Sequence, residues 1–116
     1  GMVNSGGRRM MRSLMIDLDS ATQLTEEQLD TITHQYFETD TKSWLNTHEL
    51  TQPVSNLTAF RLYAEYYLSH HPKVRQDMTH MARLLQPTAA GLPLEVYAFT
   101  EETEWTKYEA VQSSIV

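Results

Sequence analysis

The sequence predicts a single α+β domain. Its 116 residues suit one hydrophobic core, with roughly two-thirds of the unfolded surface removed from water on folding. Three stretches alternate apolar and polar residues, the period of a half-buried strand. Three others repeat apolar residues every three or four positions, the period of an amphipathic helix. The two kinds of stretch are mixed along the chain, as an α+β fold requires.

Gly1 ahead of Met2 reads as a remnant of tag cleavage and is set aside. Residues 3–7, with Asn4, Ser5, Gly6 and Gly7, read as a flexible connector. Residues 13–19 predict the first strand, with Leu14, Ile16 and Leu18 on one face and Ser13, Asp17 and Asp19 on the other. A helix start follows. Thr25 as N-cap and Gln28 three residues on make a capping box, and Leu24 with Leu29 can staple it. Leu29, Ile32, Tyr36 and Phe37 form the apolar face. The pattern fades through Thr39, Asp40 and Thr41, where Trp44 and Leu45 either extend the helix or pack as an isolated anchor. Residues 46–56 are polar, carry Pro53 and read as a loop.

A second helix presents Leu57, Phe60, Tyr63, Ala64, Tyr67 and Leu68 on a single face. It ends at His70 and His71, because Pro72 drives the residue before it out of the helical region. Two strands, residues 78–85 and 92–100, follow with a five-residue hairpin loop at 87–91. In the second, Leu94, Val96 and Ala98 share one face, and Glu95, Tyr97 and Phe99 the other. Pro93 cannot donate to a ladder, so it belongs at the start of the strand or on an edge. A last helix begins with Thr103 as cap and Glu104 in its first turn. Trp105, Tyr108, Val111, Gln112 and Ile115 make its stripe, which reaches Val116 without a glycine, a proline or a polar cap. The expectation is a chain that stops inside a helix.

The order strand, helix, inserted helix, strand, strand, helix gives five of the six elements of a ferredoxin-like split βαβ unit, truncated before its last strand. The missing strand would lie beside the first. Leu14, Ile16 and Leu18 are therefore expected on an open edge that invites pairing with another copy.

Composition excludes several classes of function. The absence of cysteine rules out disulfides, Cys-based zinc sites and thiol catalysis, and suits a reducing compartment. No apolar run approaches the roughly 18 residues of a membrane helix, and no secretory signal follows the early arginines. The net charge is −6; setting Arg8, Arg9 and Arg12 aside leaves six basic residues against 15 acidic, a balance of −9. Such a body repels phosphate, so nucleic acid is not expected as a partner. The three arginines could touch an acidic partner or lipid headgroups, but read first as a solvated connector.

The candidates for chemistry are few. His70, His71 and His80 with Asp77 offer metal-ligand side chains, yet adjacent histidines rarely aim at one ion and no His-Glu-x-x-His spacing occurs. Glu101, Glu102 and Glu104 fall at a strand-to-helix turn, where a helix start and solvated surface explain them better than acid–base catalysis. Ser5, Gly6 and Gly7 complete no phosphate-binding motif, and no serine has nucleophile context. The expectation is no enzyme, no catalytic residue, no cofactor and no metal.

Several motifs together resemble a known family. They are Phe60-Arg61-x-Tyr63, Tyr67-Leu68-x-x-His71-Pro72, Asp77-Met78-Thr79-x-Met81-Ala82-Arg83, and the run from Gly91 through Leu94, Val96 and Tyr97 to Phe99. Trp105-x-x-Tyr108-Glu109-x-Val111-Gln112 follows, and upstream stand Ser5-Gly6-Gly7-Arg8-Arg9-x-x-Arg12-Ser13 and Ile16-Asp17. This set resembles the C-terminal cytoplasmic region of small-conductance mechanosensitive ion channels, specifically the miniconductance branch. The resemblance runs from Ser5 to Ile115 and is weakest over residues 39–55. It implies a ferredoxin-like α/β domain over residues 13–116, preceded by a connector over 1–12 from an upstream β domain. It also implies upstream membrane helices, assembly of copies into a hollow vestibule, and a place on the cytoplasmic face of the inner membrane, the fragment itself being soluble. Ion access and subunit assembly would be the function, with acidic walls concentrating cations.

Two other classes compete. One is a small-molecule-binding regulatory module, which needs a pocket with convergent polar groups. The other is a plain oligomerisation domain, which the open edge and the aromatic helices would suit. Apolar helices upstream in the gene separate the channel from both.

Overall fold

The computed structural model describes residues 8–100. Strand β1 (Arg8–Ile16) is followed by a short 3-10 turn at Leu18–Ser20. Helices α1 (Glu26–Tyr36), α2 (Thr41–Thr47) and α3 (Asn56–His70) come next, then β2 (Met81–Leu84) and β3 (Leu92–Thr100). The fold is α+β. Its sheet has three strands in the order β1-β3-β2, with both outer strands antiparallel to β3. β1 and β2 therefore run parallel to each other on either side of β3, joined by a crossover made of the three helices. The last expected helix, residues 103–116, lies outside the described residues.

Even-numbered positions of the sheet face inward. Met10 stands opposite Ala98, Leu14 opposite Leu94 and Ala82 opposite Val96. All six are buried, and they meet Ala64, Leu68 and Val74 in one core. A second core lies on another side of α3, where Ala59 and Leu62 pack with Leu29, Phe37, Trp44 and Val54. The sequence reading gave α3 a single face. It has two apolar stripes, Phe60-Ala64-Tyr67-Leu68 toward the sheet and Ala59-Leu62-Tyr63-Tyr66 toward α1 and α2. At 3.6 residues per turn these stripes stand roughly a third of a turn apart. The molecule thus has three layers, with α3 in the middle.

The capping box at Thr25 and Gln28 is present: Gln28 N–H donates to Thr25 Oγ1 at 3.1 Å, and Thr25 N–H to Gln28 Oε1 at 3.0 Å. Leu24 and Leu29 join the same core, as the staple requires. Tyr36 departs from the expected apolar face and is 49% exposed. Trp44 belongs to neither expected arrangement. It sits in a separate helix, α2, started by Asp40, whose carboxylate accepts from Ser43 N–H at 2.8 Å and Ser43 Oγ at 2.9 Å. Those bonds hold the Asp40 carboxyl below the ordinary carboxylate value. The join between α1 and α2 is tied by the buried Thr33, whose hydroxyl meets Thr41 Oγ1 at 2.9 Å.

β1 starts at Arg8, five residues ahead of the expected Ser13, so Arg8, Arg9 and Arg12 are strand residues rather than a connector. The inward alternation extends back to Met10, a methionine whose period the arginines obscured. Leu18 is a correction in the other direction. It lies in the 3-10 turn and is 47% exposed, because Asp17 caps that turn by accepting from Asp19 N–H at 2.9 Å. β2 is four residues long rather than eight. β3 has the expected bounds, and Pro93 is its second residue, the start of the strand. Gly91 has φ +134°, and a Cβ there would come 2.7 Å from the Ile16 carbonyl oxygen, so glycine is required.

Leu68 is fully buried between α3 and the sheet. Leu68→Ala is expected to cost roughly 2–5 kcal/mol, and Thr25→Ala about 1 kcal/mol. Urea denaturation reads both as a lower midpoint at unchanged slope.

Candidate functional site

Two surfaces remain once the cores are accounted for. The first is the pair of sheet edges. At β2, the Ala82 N–H donates to Glu65 Oε2 at 3.1 Å, and the Ala82 carbonyl accepts from Arg61 Nη1 at 3.2 Å. Arg61 and Glu65 also pair with each other at 3.3 Å. A helix side-chain pair thus occupies backbone groups that an incoming strand would need. β1 lies at the opposite end of the sheet and spans nine residues, paired with β3 along its length. Its edge is carried by Arg8–Ile16; of the residues expected there, Leu14 and Ile16 are on the strand and Leu18 is not.

The outward face of the sheet is mixed. Met11 and Met15 are about half exposed, at 53% and 52%. Tyr97 and Phe99 meet edge to face at 5.6 Å. Arg83 and Glu95, directly opposite in register, pair at 2.8 Å.

The second surface is the seam between α3 and the α1–α2 pair. Phe37 contacts Trp44, Tyr63 and Tyr66, with ring centroids 5.1–6.0 Å apart. Two adjoining clefts of about 370 Å³ each open along it, both lined by Tyr66 and His70, whose rings stack at 4.1 Å. One cleft is lined by Trp44, His48, Glu65 and Ser69, and among the described residues the buried Trp44 Nε1 has no hydrogen-bond partner. The other is lined by Tyr36, Glu38, Tyr63 and Tyr67. Sequence reasoning counted these aromatics as packing. The signal that could have found the clefts is the run of tyrosines at 63, 66 and 67 facing Tyr36.

The expected metal-ligand candidates are dispersed among local partners. His70 Nδ1 lies 2.8 Å from the Tyr66 carbonyl, and His71 Nδ1 accepts from Lys73 N–H at 3.0 Å. His80 lies 3.0 Å from the Met78 carbonyl, and Asp77 is held by Arg75 through two bonds at 3.0 and 2.7 Å. Among the described residues no three histidines or carboxylates gather where they could hold a metal ion. No helix among them is long and apolar enough to cross a membrane. Glu101, Glu102 and Glu104, with Ser5, Gly6 and Gly7, lie outside the described residues. No family model matches the chain.

Burial lowers the pKa of both His48 and His71 below the ordinary imidazole value of 6.5, helped by Arg61 near the first and Lys73 near the second. The unfolded chain then binds more protons than the folded one just below pH 6.5, so stability rises with pH there. Their contribution is complete above 6.5 and is lost as pH falls toward the folded values. The urea midpoint should drop between about pH 7.5 and about pH 5.5, and His48→Gln with His71→Gln should flatten that drop.

Proposed function

We propose that this chain is the cytoplasmic vestibule domain of a tension-gated mechanosensitive channel of the small-conductance family, miniconductance branch, and acts in subunit assembly and ion access. The observation that carries the reading is the sheet order β1-β3-β2 with a helical crossover between its two parallel outer strands. This order is compatible with a ferredoxin-like split βαβ unit, in which a last strand would sit beside β1. The motifs of the resemblance lie on the elements that build it: Phe60 and Tyr67 on α3, Met81 to Arg83 on β2, Leu92 to Phe99 on β3. The blocked β2 edge and the long β1 at the other end favour β1 as the place where a further strand, from this chain or another copy, adds to the sheet.

The charge distribution supports a role in ion access. Between residues 17 and 49, eight carboxylates accompany a single lysine, Lys42. All eight are exposed, and they lie on α1 or on the segments that precede and follow α1 and α2. A wall of this kind raises the local concentration of cations and lowers that of anions. On this reading the α1–α2 layer faces the vestibule.

Sequencing the DNA on both sides of the coding region tests the reading. Upstream stretches of about 20 apolar residues, followed by a β-rich segment before Gly6, are expected. A gene that starts at Met2 and stops at Val116 would overturn it. In the full-length protein, Asp30→Asn, Glu38→Gln and Asp40→Asn together should shift ion preference away from cations, read as a change in reversal potential in a salt gradient.

A further inference from the structure

We infer that the cleft between the end of α1 and the second half of α3 binds an organic cation of the quaternary ammonium class. Four tyrosines line this cleft of about 370 Å³: Tyr36, Tyr63, Tyr66 and Tyr67, with Glu38 and His70 beside them. Tyr36 and Tyr63 stand edge to face at 5.7 Å, and Tyr63 and Tyr67 are tilted at 6.3 Å, so the rings present differently oriented walls. The face of an aromatic ring carries negative potential and attracts a cation within about 6 Å of its centroid. Tyr36 is 49% exposed, which leaves part of its ring open to a ligand.

Glu38 supplies the formal charge. Among the described residues its carboxylate makes no hydrogen bond or ion pair, and its charge joins burial in raising the pKa of the Tyr66 hydroxyl. The backbone at Glu38 has φ 56°, which turns the chain out of α1 and sets this residue at the cleft. The surrounding α1–α2 layer is acidic as well. Lys73, whose charge acts on His71, opposes a cation but lies outside the lining.

The lining selects among cations. A hard metal ion needs six or more oxygen ligands, and this cleft offers one carboxylate. A primary ammonium must keep three donors satisfied. A quaternary ammonium has no donor, is weakly hydrated, and gains most from ring faces with a carboxylate nearby. Free choline and the choline headgroup of a lipid share this chemistry.

The test is an NMR titration of the full 116-residue chain at pH 8 with choline chloride, and with 3,3-dimethylbutanol, its uncharged isostere. Sodium chloride is matched throughout. Choline should shift the ring signals of Tyr36, Tyr63 and Tyr66 with a Kd on the order of 1 mM. The uncharged isostere should bind at least about fivefold more weakly, and Glu38→Gln and Tyr36→Ala should each weaken choline about three- to tenfold. Tyr36 is half exposed, so its variant should keep the native amide spectrum; if it does not, Glu38→Gln decides. Equal binding of choline and the isostere, shifts confined to other surfaces, or no shift at about 50 mM choline would overturn the inference. Phosphatidylcholine vesicles form a second arm. Binding of free choline with or without vesicle binding supports the site and identifies the source, whereas vesicle binding without free choline binding overturns it. None of these outcomes depends on the channel reading.

Discussion

Ala64 and Leu68 are sealed against the sheet, while Ala59 and Leu62, on the same helix, are sealed against α1 and α2. One helix must therefore satisfy two cores, and this constraint organises the molecule. Each stripe carries an alanine, Ala64 toward the sheet and Ala59 toward α1 and α2, which lets the layers approach closely. The larger residues, Leu62 and Leu68, point to opposite layers. The polar residues left over, Arg61 and Glu65, are used at the β2 edge rather than exposed to solvent alone. Among the described residues, α3 is the helix that links the sheet core to the α1–α2 core.

The functional surfaces follow from that arrangement. Because α3 spends its polar stripe on β2, the two ends of the sheet are unequal, and the proposed assembly edge is the end that α3 does not block. Because its second apolar stripe ends in tyrosines rather than leucines, the seam with α1 is not fully closed, and clefts open between Tyr36, Tyr63 and Tyr66. The buried Trp44 indole lines the neighbouring cleft and packs against Phe37 at 5.1 Å.

Much of the fold was legible in local signals. The capping box at Thr25 and Gln28 marked the start of α1 to the residue, and the alternation at Leu94, Val96 and Ala98 fixed the inward face of β3. The misses have particular causes. Arg8, Arg9 and Arg12 disguised the first half of β1, since charge in an edge strand reads as a linker. Leu18 fits the alternation of β1, but the Asp17 side chain captures the Asp19 amide and turns the chain away. α2 was too short for periodicity to show, although Asp40 with Ser43 is a capping signal. The double stripe of α3 was missed because a helix buried on two sides blurs the pattern that a single-faced helix makes clear. The aromatic clefts were invisible for a further reason: they form between residues nearly thirty positions apart, such as Tyr36 and Tyr63.

Native-state hydrogen exchange tests the dependence on α3 most directly. If one helix closes both cores, the slowest amides of α1, at Leu29 and Thr33, should open with the same free energy and denaturant slope as those of Val96 and Ala98 in β3. Both sets would then exchange only through global unfolding. Exchange of the α1 amides through a smaller opening that leaves α3 and β3 protected would contradict the account, because the helical layer would then be an appendage rather than half of a shared structure.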